Sequence, residues 1–323
     1  MGRRTAIWKA AVWGAVGGTL PDLDVFIDHG DAVRNMVLHR AETHSIFWLT
    51  LFSLPLAVVV AGVHKEWGIW RRWWLAMWLV LVTHPLLDTM TVYGTQLALP
   101  FTDYPYGVGS VFIIDPLYTV PLLVGAGLAL AARGSVDGVA RGLRANTAGL
   151  VLSTAYLAWS AVAQQYVERI ARHALVQQGI DVEQLLVTPA PLNTLLWRVV
   201  VMSGAHYHEG FYSVLDATPT VQFNRFDRGQ SLEAELQRLD SVRRIAAFSK
   251  GFYKLEQVGQ EIFISDLRMG QEPGYTFRFL VAEGRNPLQA LERPVQKSGR
   301  LDFKRSLHWL WQRMWGEPVP APR

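Results

Sequence analysis

Two histidines, His39 and His44, lie close together in the stretch HRAETHS, directly before a long apolar run. Neutral imidazole is a common ligand of Zn²⁺ and of other divalent transition metals. A second stretch, HPLLD, places His84 and Asp88 four residues apart, so both side chains lie on the same face of a helix. Pro85 between them is expected to kink or locally unwind that helix. The spacing predicts that His84 and Asp88 bind one metal ion.

Further carboxylates fall at the ends of apolar segments: two in PDLD and one in IIDPL. Because successive membrane helices alternate in direction, these ends meet at one membrane face. Carboxylate and imidazole together suit Zn²⁺, with Mn²⁺ or Fe²⁺ as alternatives. Six or seven ligands exceed what one tetrahedral ion needs, so one or two ions are expected. The predicted metal ligands are Asp22, Asp24, His39, His44, His84, Asp88 and Asp115.

Three more residues of HRAETHS are candidates for direct roles in catalysis. Arg40 could hold an anionic substrate oxygen or a ligand carboxylate. Glu42 and Thr43 are candidates for proton transfer or for supporting the ligands. A bound divalent metal would lower the pKa of a bound water from about 15.7 to roughly 7. The cluster therefore predicts hydrolysis by metal-bound hydroxide.

These polar clusters alternate with apolar segments in the first half of the chain. Half of all residues are hydrophobic, 13 are Trp, and only 18% are charged, whereas about 25% is usual in soluble domains. A membrane-spanning helix needs about 20 largely apolar residues. We predict an α-helical membrane domain of about five helices in residues 1–165, and core helices of a soluble protein are the alternative. The segments are Ala6–Leu20, Ile46–Val63, Trp73–Leu87, Val111–Ala132 and Thr147–Gln165.

Basic residues are distributed unevenly among the loops between these segments. The loops at residues 21–45 and 88–110 hold only Arg34 and Arg40. The positive-inside rule then predicts a multi-pass protein of the inner (cytoplasmic) membrane, with its metal centre and C-terminal half on the outer face. The first segment lacks a signal-peptide cleavage site and is expected to be retained. The other loops and the N-terminus carry nine basic residues, which are Arg3, Arg4, Lys9, Lys65, Arg71, Arg72, Arg133, Arg141 and Arg144.

Residues 166–315 are predicted to form a smaller α+β domain outside the membrane. The second half of the chain carries 37 charged residues, whereas the first half carries 21. Runs rich in Val, Tyr and Phe predict a hairpin over Leu195–Ser203 and Tyr207–Leu215. The stretch Phe303–Trp315 mixes Trp with Lys and Arg, which is typical of an interfacial membrane helix or of a helix packed on its own domain. The Pro-rich tail 316–323 is predicted to be disordered.

Two further polar stretches lie in this half. In HYHEG, His206 and His208 would share one face of a strand, either as a second metal site or as ordinary surface residues. In DLRMG, Asp266 and Arg268 also share a strand face, and a structural salt bridge is the simpler interpretation.

Several motifs, taken in chain order, resemble one family. They are GGTLPDLDVF, HRAETHS, HPLLDTMTVYG, LPF and IIDPLYT, followed by PLNTLLWRVV, FSKGFY and DLRMG. Together they resemble the LexA-regulated, membrane-bound metal-dependent hydrolase family of the YdjM type. The resemblance implies metal-dependent hydrolysis, through the family's own similarity to zinc-dependent phospholipases C, and implies the ligand positions given above. Members usually carry a Thr-His pair on the first helix. Since this chain begins after that point, we expect either a smaller ligand set or a start farther upstream that supplies another His.

The sequence therefore predicts an integral membrane metal-dependent hydrolase that acts on a phosphoester of a lipid or another amphiphile. Its expected partners are the lipid bilayer and a small-molecule or lipid substrate. The net charge of only +4 argues against nucleic acid, and the absence of Cys excludes disulfides and thiolate chemistry. A transporter or metal-handling protein that uses the same polar cluster is one alternative. A non-catalytic membrane assembly protein is another.

Overall fold

The computed structural model describes residues 5–132, 136–284, 288–299 and 302–323. Arg3, Arg4 and Arg133, which contribute to the predicted membrane orientation, lie outside these ranges. The chain forms two compact units, and short segments near residues 27–39 and 109–112 belong to the second. The first unit is Met1–Phe26, Arg40–Val108 and Ile113–Ser160, and the second is Ile27–His39, Gly109–Phe112 and Ala161–Arg323.

The elements confirm a helical N-terminal region followed by a sheet-rich C-terminal region. The α-helices are α1 (Ile7–Thr19), α2 (Ala32–Leu38), α3 (Ile46–Val63), α4 (Trp70–Asp88), α5 (Pro116–Ala131), α6 (Val136–Gln177), α7 (Gln230–Leu236), α8 (Asp240–Phe248) and α9 (Phe303–Met314). The strands are β1 (Gln184–Pro189), β2 (Leu196–Ser203), β3 (His206–Ser213), β4 (Phe223–Asp227), β5 (Tyr253–Val258), β6 (Glu261–Asp266), β7 (Gly270–Gln271), β8 (Gly274–Tyr275), β9 (Arg278–Glu283) and β10 (Gln289–Gln296).

Among the described residues, one helix is long and apolar enough to cross a membrane by length and composition. It is α3, with 18 residues and a mean hydropathy of 2.3 over Ile46–Val63. Helix α5 is apolar but shorter. The predicted membrane domain of five helices is therefore not confirmed. Two of the predicted helices fail this criterion for different reasons. Helix α1 has only 13 residues, and α4 has Arg71 and Arg72 in its first turn and Asp88 as its last residue.

Helices α3 and α4 form the core of the first unit. Leu56, Ala57 and Val60 of α3 pack with Trp73 and Met77 of α4, and all five are buried. Their spacing of three and four residues places them on one face of each helix. The pairing holds the start of α3 beside the end of α4, which is where the predicted ligands lie.

The opposite end of this helix pair is closed by a polar and aromatic cluster. The Glu66 carboxylate accepts hydrogen bonds from Thr5, from Lys9 at 2.6 Å and from the Trp73 indole at 2.9 Å. The Trp13 indole donates to His64 Nε2 at 2.8 Å. These contacts attach α1 to the loop between α3 and α4.

Helices α5 and α6 approach each other at glycines. A Cβ added at Gly149 would overlap the Pro121 carbonyl oxygen, and one at Gly125 would lie 2.9 Å from Asn146 Cα. Only glycine permits such a close backbone approach. Small residues at helix contacts are typical of membrane helix pairs.

The second unit is built on two antiparallel four-stranded sheets, in the orders β1-β2-β3-β4 and β10-β9-β6-β5. Successive side chains of β2 point into two different hydrophobic cores, because the side chains of a strand alternate between its two faces and both faces of β2 are buried. Trp197, Val199 and Val201 pack in a cluster with the end of α6, whereas Val200 and Met202 pack with Phe252, Leu267 and Tyr275. The predicted hairpin corresponds to β2 and β3, which pair directly.

The polar stretches of the second unit make structural contacts. Arg268 Nη2 lies 2.6 Å from Asp266 Oδ2, which is the predicted salt bridge. Arg225 Nη2 lies 2.8 Å from His206 Nε2, so a cation rather than a carboxylate faces this histidine. The tail 316–323 has no helix or strand, but the Trp309 indole donates to the Val319 carbonyl, and Val319 and Ala321 pack against the Trp309 cluster. The disorder predicted from the composition of the tail is therefore not observed, because Val319 and Ala321 pack against the second unit.

Candidate metal centre

Four predicted ligands come together in the first unit, and each is positioned by the end of a helix. Asp22 lies in the 3₁₀ helix Pro21–Phe26 that follows α1, and His44 ends the 3₁₀ turn Glu42–His44. His84 and Asp88 occupy the last turns of α4. Ser45 caps α3 by accepting from the Trp48 amide, which fixes the position of His44 immediately before the helix.

The ligand atoms of these four residues alternate between nitrogen and oxygen at nearly equal distances. His44 Nε2 lies 3.3 Å from Asp22 Oδ1 and 3.4 Å from Asp88 Oδ2. His84 Nε2 lies 3.4 Å from Asp22 Oδ1 and 3.3 Å from Asp88 Oδ2. No two of the four ligand atoms are farther apart than 4.8 Å.

These distances fit a first-row divalent metal. Ligand atoms that are neighbours around one ion lie about 3.0–3.5 Å apart when each is at the bond length of Zn²⁺ to imidazole nitrogen or carboxylate oxygen, about 2.0–2.2 Å. His84 Nε2 and Asp88 Oδ2 are also buried without a hydrogen-bond partner of acceptable geometry. Buried polar atoms are rarely left unpaired. The donor set of two imidazoles and two carboxylates therefore fits an ion at its centre.

A hydrogen-bonded chain behind His44 favours the tautomer that can bind metal. The Thr43 hydroxyl donates to Asp24 Oδ2 at 2.7 Å, and His44 Nδ1 lies 3.0 Å from the same hydroxyl oxygen. Since the hydroxyl hydrogen is directed at Asp24, the oxygen is free to accept from His44 Nδ1–H. That leaves the Nε2 lone pair directed at the four-residue group, an arrangement common among metal-binding histidines.

Arg40 holds Asp88 from the other side. Its Nη2 lies 3.2 Å from Asp88 Oδ1, which leaves Oδ2 directed at the histidines. Its guanidinium also lies over the Tyr93 ring, 5.2 Å from the centroid, and its backbone N–H donates to Asp24 Oδ2 at 2.9 Å. Arg40 adopts a positive φ of 64°, a conformation that non-glycine residues rarely adopt and that costs about 1–3 kcal/mol. The chain bends sharply at Arg40, so that the Arg40 backbone N–H contacts Asp24 and the Arg40 guanidinium contacts Asp88.

The group is open on one side. His44 is fully buried, whereas half of the Asp22 side chain is exposed. The neighbouring imidazoles of His44 and His84 lower the pKa of the Asp22 carboxyl well below its usual range. Asp22 is therefore an ionised ligand at the solvent-facing edge of the group.

The remaining predicted residues do not join this group. Asp24 is occupied by Thr43 and the Arg40 amide, because residues two apart in a 3₁₀ helix point in different directions. His39 ends α2, in the second compact unit. Asp115 caps α5 by accepting from the Leu117 amide, and its other oxygen accepts from the Tyr156 hydroxyl at 2.7 Å. The hydrogen bonds of Asp24 and Asp115 explain the polar side chain at each of these two positions.

Of the three predicted catalytic residues, two lie directly behind the ligands. Thr43 supports His44 and Arg40 supports Asp88, as described above. Glu42 is exposed at the start of its 3₁₀ turn. Tyr93, which packs against the Arg40 guanidinium, was not among the predicted site residues, although it lies in the motif HPLLDTMTVYG.

Comparison with known proteins identifies the family. A family model described as "YdjM inner membrane protein" matches residues 1–167, slightly more than half of the chain. The chain belongs to the YdjM inner membrane protein family. The match confirms the resemblance drawn from the motifs, and it covers all four clustered residues.

One curated relative extends this similarity beyond the YdjM region. "Uncharacterized protein YfhP" of Bacillus subtilis (strain 168) is 22% identical over 280 residues, which cover 83% of this chain and 80% of the relative. An alignment of that length includes part of the second unit. No solved structure shows significant similarity to the chain.

Proposed function

We propose that this YdjM-family protein is a membrane-embedded, metal-dependent hydrolase that cleaves a phosphoester of a lipid or another amphiphile. The observation that carries the proposal is the convergence of Asp22, His44, His84 and Asp88, whose neighbouring nitrogen and oxygen atoms lie 3.3–3.4 Å apart. Two imidazoles and two carboxylates suit Zn²⁺ first, and Mn²⁺ or Fe²⁺ as alternatives.

Outward-facing apolar side chains support embedding of the first unit in a bilayer. Val59 and Val63 of α3 are more than half exposed, as are Leu117, Leu123 and Val124 of α5. A water-soluble protein rarely exposes such contiguous apolar surface. The close glycine contacts between α5 and α6 have the same explanation. We therefore extend the inner-membrane description of the family to several embedded helices of this chain.

The proposed role of each residue is inferred from its contacts. A divalent ion in this group would act as a Lewis acid on a phosphoryl oxygen and would lower the pKa of a bound water. Asp22 lies at the open edge, where a substrate can enter. Thr43 and Asp24 keep His44 in the metal-binding tautomer, and Arg40 keeps one oxygen of Asp88 directed inward. Arg40 is therefore a positioning residue for a ligand carboxylate, and its contact with Asp88 disfavours direct binding to substrate.

An ion-conducting role is less compatible with the helix pair. Between the four-residue group and the opposite end, the buried side chains that α3 and α4 share are apolar, apart from Ser53. The Ser53 hydroxyl is already bonded to the Thr50 carbonyl and the Trp74 indole. The described residues of these two helices thus provide no continuous polar path.

The test is hydrolysis of phosphodiester and fluorescent phospholipid substrates by the purified full-length protein in detergent. We expect turnover that is lost on chelation, returns with Zn²⁺ or Mn²⁺, and falls to background in His84→Ala and Asp88→Asn. A matched control is Asp115→Asn, whose carboxylate caps α5 and should be dispensable for turnover. A protein that binds metal stoichiometrically but hydrolyses none of these substrates would contradict the hydrolase proposal while leaving the metal site intact.

A further inference from the structure

Helix α9 presents two different faces, and one of them is fixed to the second unit. Trp309 is only 7% exposed, and its ring makes an edge contact with Phe211 at 4.9 Å between centroids. Arg313 forms a bidentate ion pair with Asp216, and its Nη2 donates to the Phe211 carbonyl. These contacts fix the rotation of the helix about its axis.

The opposite face of α9 is exposed and apolar. Leu307, Trp311 and Trp315 follow one another at intervals of four residues and therefore share that face. They are 47%, 60% and 53% exposed, although Trp311 and Trp315 contact each other edge to face. Indole is an amphipathic ring that is enriched where one side of a protein meets lipid and the other meets water.

Basic side chains lie on and beside this apolar face. Lys304 is three residues before Leu307 and seven before Trp311, so it lies within the same stripe, and His308 lies beside it. Arg305, four residues before Trp309, lies toward the other face. All three side chains are exposed. Within the described chain, no carboxylate forms an ion pair with Lys304 or Arg305. Asp302 at the helix start is engaged as the N-cap and accepts from the Arg305 amide.

We propose that this face of α9, formed by Leu307, Trp311, Trp315 and Lys304, docks into the headgroup region of an anionic phospholipid bilayer. The indole rings and Leu307 would enter the interface, while the Lys304 ammonium extends to lipid phosphates. The chain belongs to an inner membrane protein family, so α9 is tethered to a bilayer through its own chain. A tether of this kind raises the effective concentration of a weak docking surface to the millimolar range.

The chemistry of the face favours lipid over a protein partner. Lys304 continues the line of Leu307, Trp311 and Trp315 at its N-terminal end, so the face combines apolar and basic side chains. A long lysine side chain at a bilayer surface can instead bury its methylenes and extend its ammonium to the phosphates. The inference does not depend on the hydrolase proposal, because it involves no residue of the metal centre.

The chain contains no Cys, so single-Cys variants can test the proposal directly. Leu307→Cys carries an environment-sensitive NBD label in the apolar stripe and leaves both Trp residues in place. Gln260→Cys carries the same label at an exposed turn between β5 and β6 and is the matched control. Both full-length proteins are reconstituted into vesicles of phosphatidylcholine with phosphatidylglycerol, some of whose acyl chains carry nitroxide quenchers.

We expect the nitroxides to quench the label at 307 and not the label at 260. Lys304→Gln should lower the ratio of docked to undocked helix about fivefold in anionic vesicles and should have little effect in pure phosphatidylcholine. Trp311→Ser should also weaken quenching.

Equal quenching at positions 307 and 260, whether strong or weak, would overturn the proposal. So would a label at 307 that is protected from aqueous iodide but not reached by lipid nitroxides, since a protein surface would then cover the helix. Gel filtration of each variant confirms that it is folded, and the exposure of all the substituted side chains makes that the expected result.

Discussion

The orientation of one imidazole depends on a single hydroxyl. The Thr43 hydroxyl lies between His44 Nδ1 and Asp24 Oδ2. Because its hydrogen is donated to the carboxylate, its oxygen can act towards the imidazole only as an acceptor, from Nδ1–H. Residues that hold a metal-binding histidine in this way typically contribute about 10–100-fold to metal affinity. The contribution should be separable from folding, because Thr43 is only partly buried.

We predict that Thr43→Val weakens binding of Zn²⁺ about 10–100-fold, because Nδ1 loses its acceptor and the metal-binding tautomer is no longer favoured. Thr43→Ser keeps the hydroxyl and should restore most of the affinity. Competition with a chromophoric chelator measures both values. Equal affinity for the Val and Ser variants would show that the hydroxyl has no such role.

At the same scale, the sequence predicted some ligands better than others. The pair His84 and Asp88 follows from helical periodicity alone, and their side chains do lie 3.3 Å apart. The choice between Asp22 and Asp24, or between His39 and His44, depends on the direction of each side chain in a 3₁₀ turn and on the sharp bend at Arg40. Hydrophobic periodicity encodes neither the side-chain direction nor the bend. The sequence alone therefore indicates all four residues as ligands.

At the scale of elements, long apolar runs in the sequence predict the positions of long helices well. The predicted segment Ile46–Val63 coincides with α3, because its residues are apolar, apart from Thr50 and Ser53, between Ser45 and the polar turn after Val63. Short elements such as α2 and β10 were not predicted, since α2 has only seven residues and β10 has few apolar side chains. Periodicity also did not reveal that α6 begins at Val136, ahead of the apolar stretch Thr147–Gln165.

The contact between α5 and α6 gives a prediction at this scale. Gly149→Leu should destabilise the protein by about 1–3 kcal/mol or more, because its Cβ would overlap the Pro121 carbonyl oxygen and force the helices apart. Gly127→Leu, on α5, is the matched control, since nothing lies within 4 Å of its added Cβ. Thermal unfolding in detergent compares the two. Equal melting temperatures would show that the close approach does not stabilise the fold.

At the scale of the whole molecule, the family establishes an inner membrane protein, and the loop charges predict its orientation. The N-terminus and the loops predicted to be cytoplasmic carry nine basic residues, whereas the opposite loops carry two. We predict that the metal centre and the second unit lie on the outer side, where they would meet substrate outside the cytoplasm.

Labelling of single-Cys variants on intact cells tests this orientation. An impermeant thiol reagent should label Asp103→Cys and Gln237→Cys but not Asp137→Cys, and all three positions are exposed. Labelling of Asp137→Cys alone would place the metal centre on the cytoplasmic side. The reagent must label every variant after the cells are broken, which controls for accessibility.

The central claim is that Asp22, His44, His84 and Asp88 hold a divalent metal ion, and elemental analysis of the purified full-length protein tests it most directly. We expect about one Zn²⁺, Mn²⁺ or Fe²⁺ per chain in the unmodified protein, and loss of the ion in His84→Ala and His44→Ala with the helical circular dichroism retained. His39→Ala is the matched control, because the same motif contains this histidine but the four-residue group does not. It should keep the metal. A folded His84→Ala protein that retains the full metal content, or a His39→Ala protein that loses it, would contradict the account.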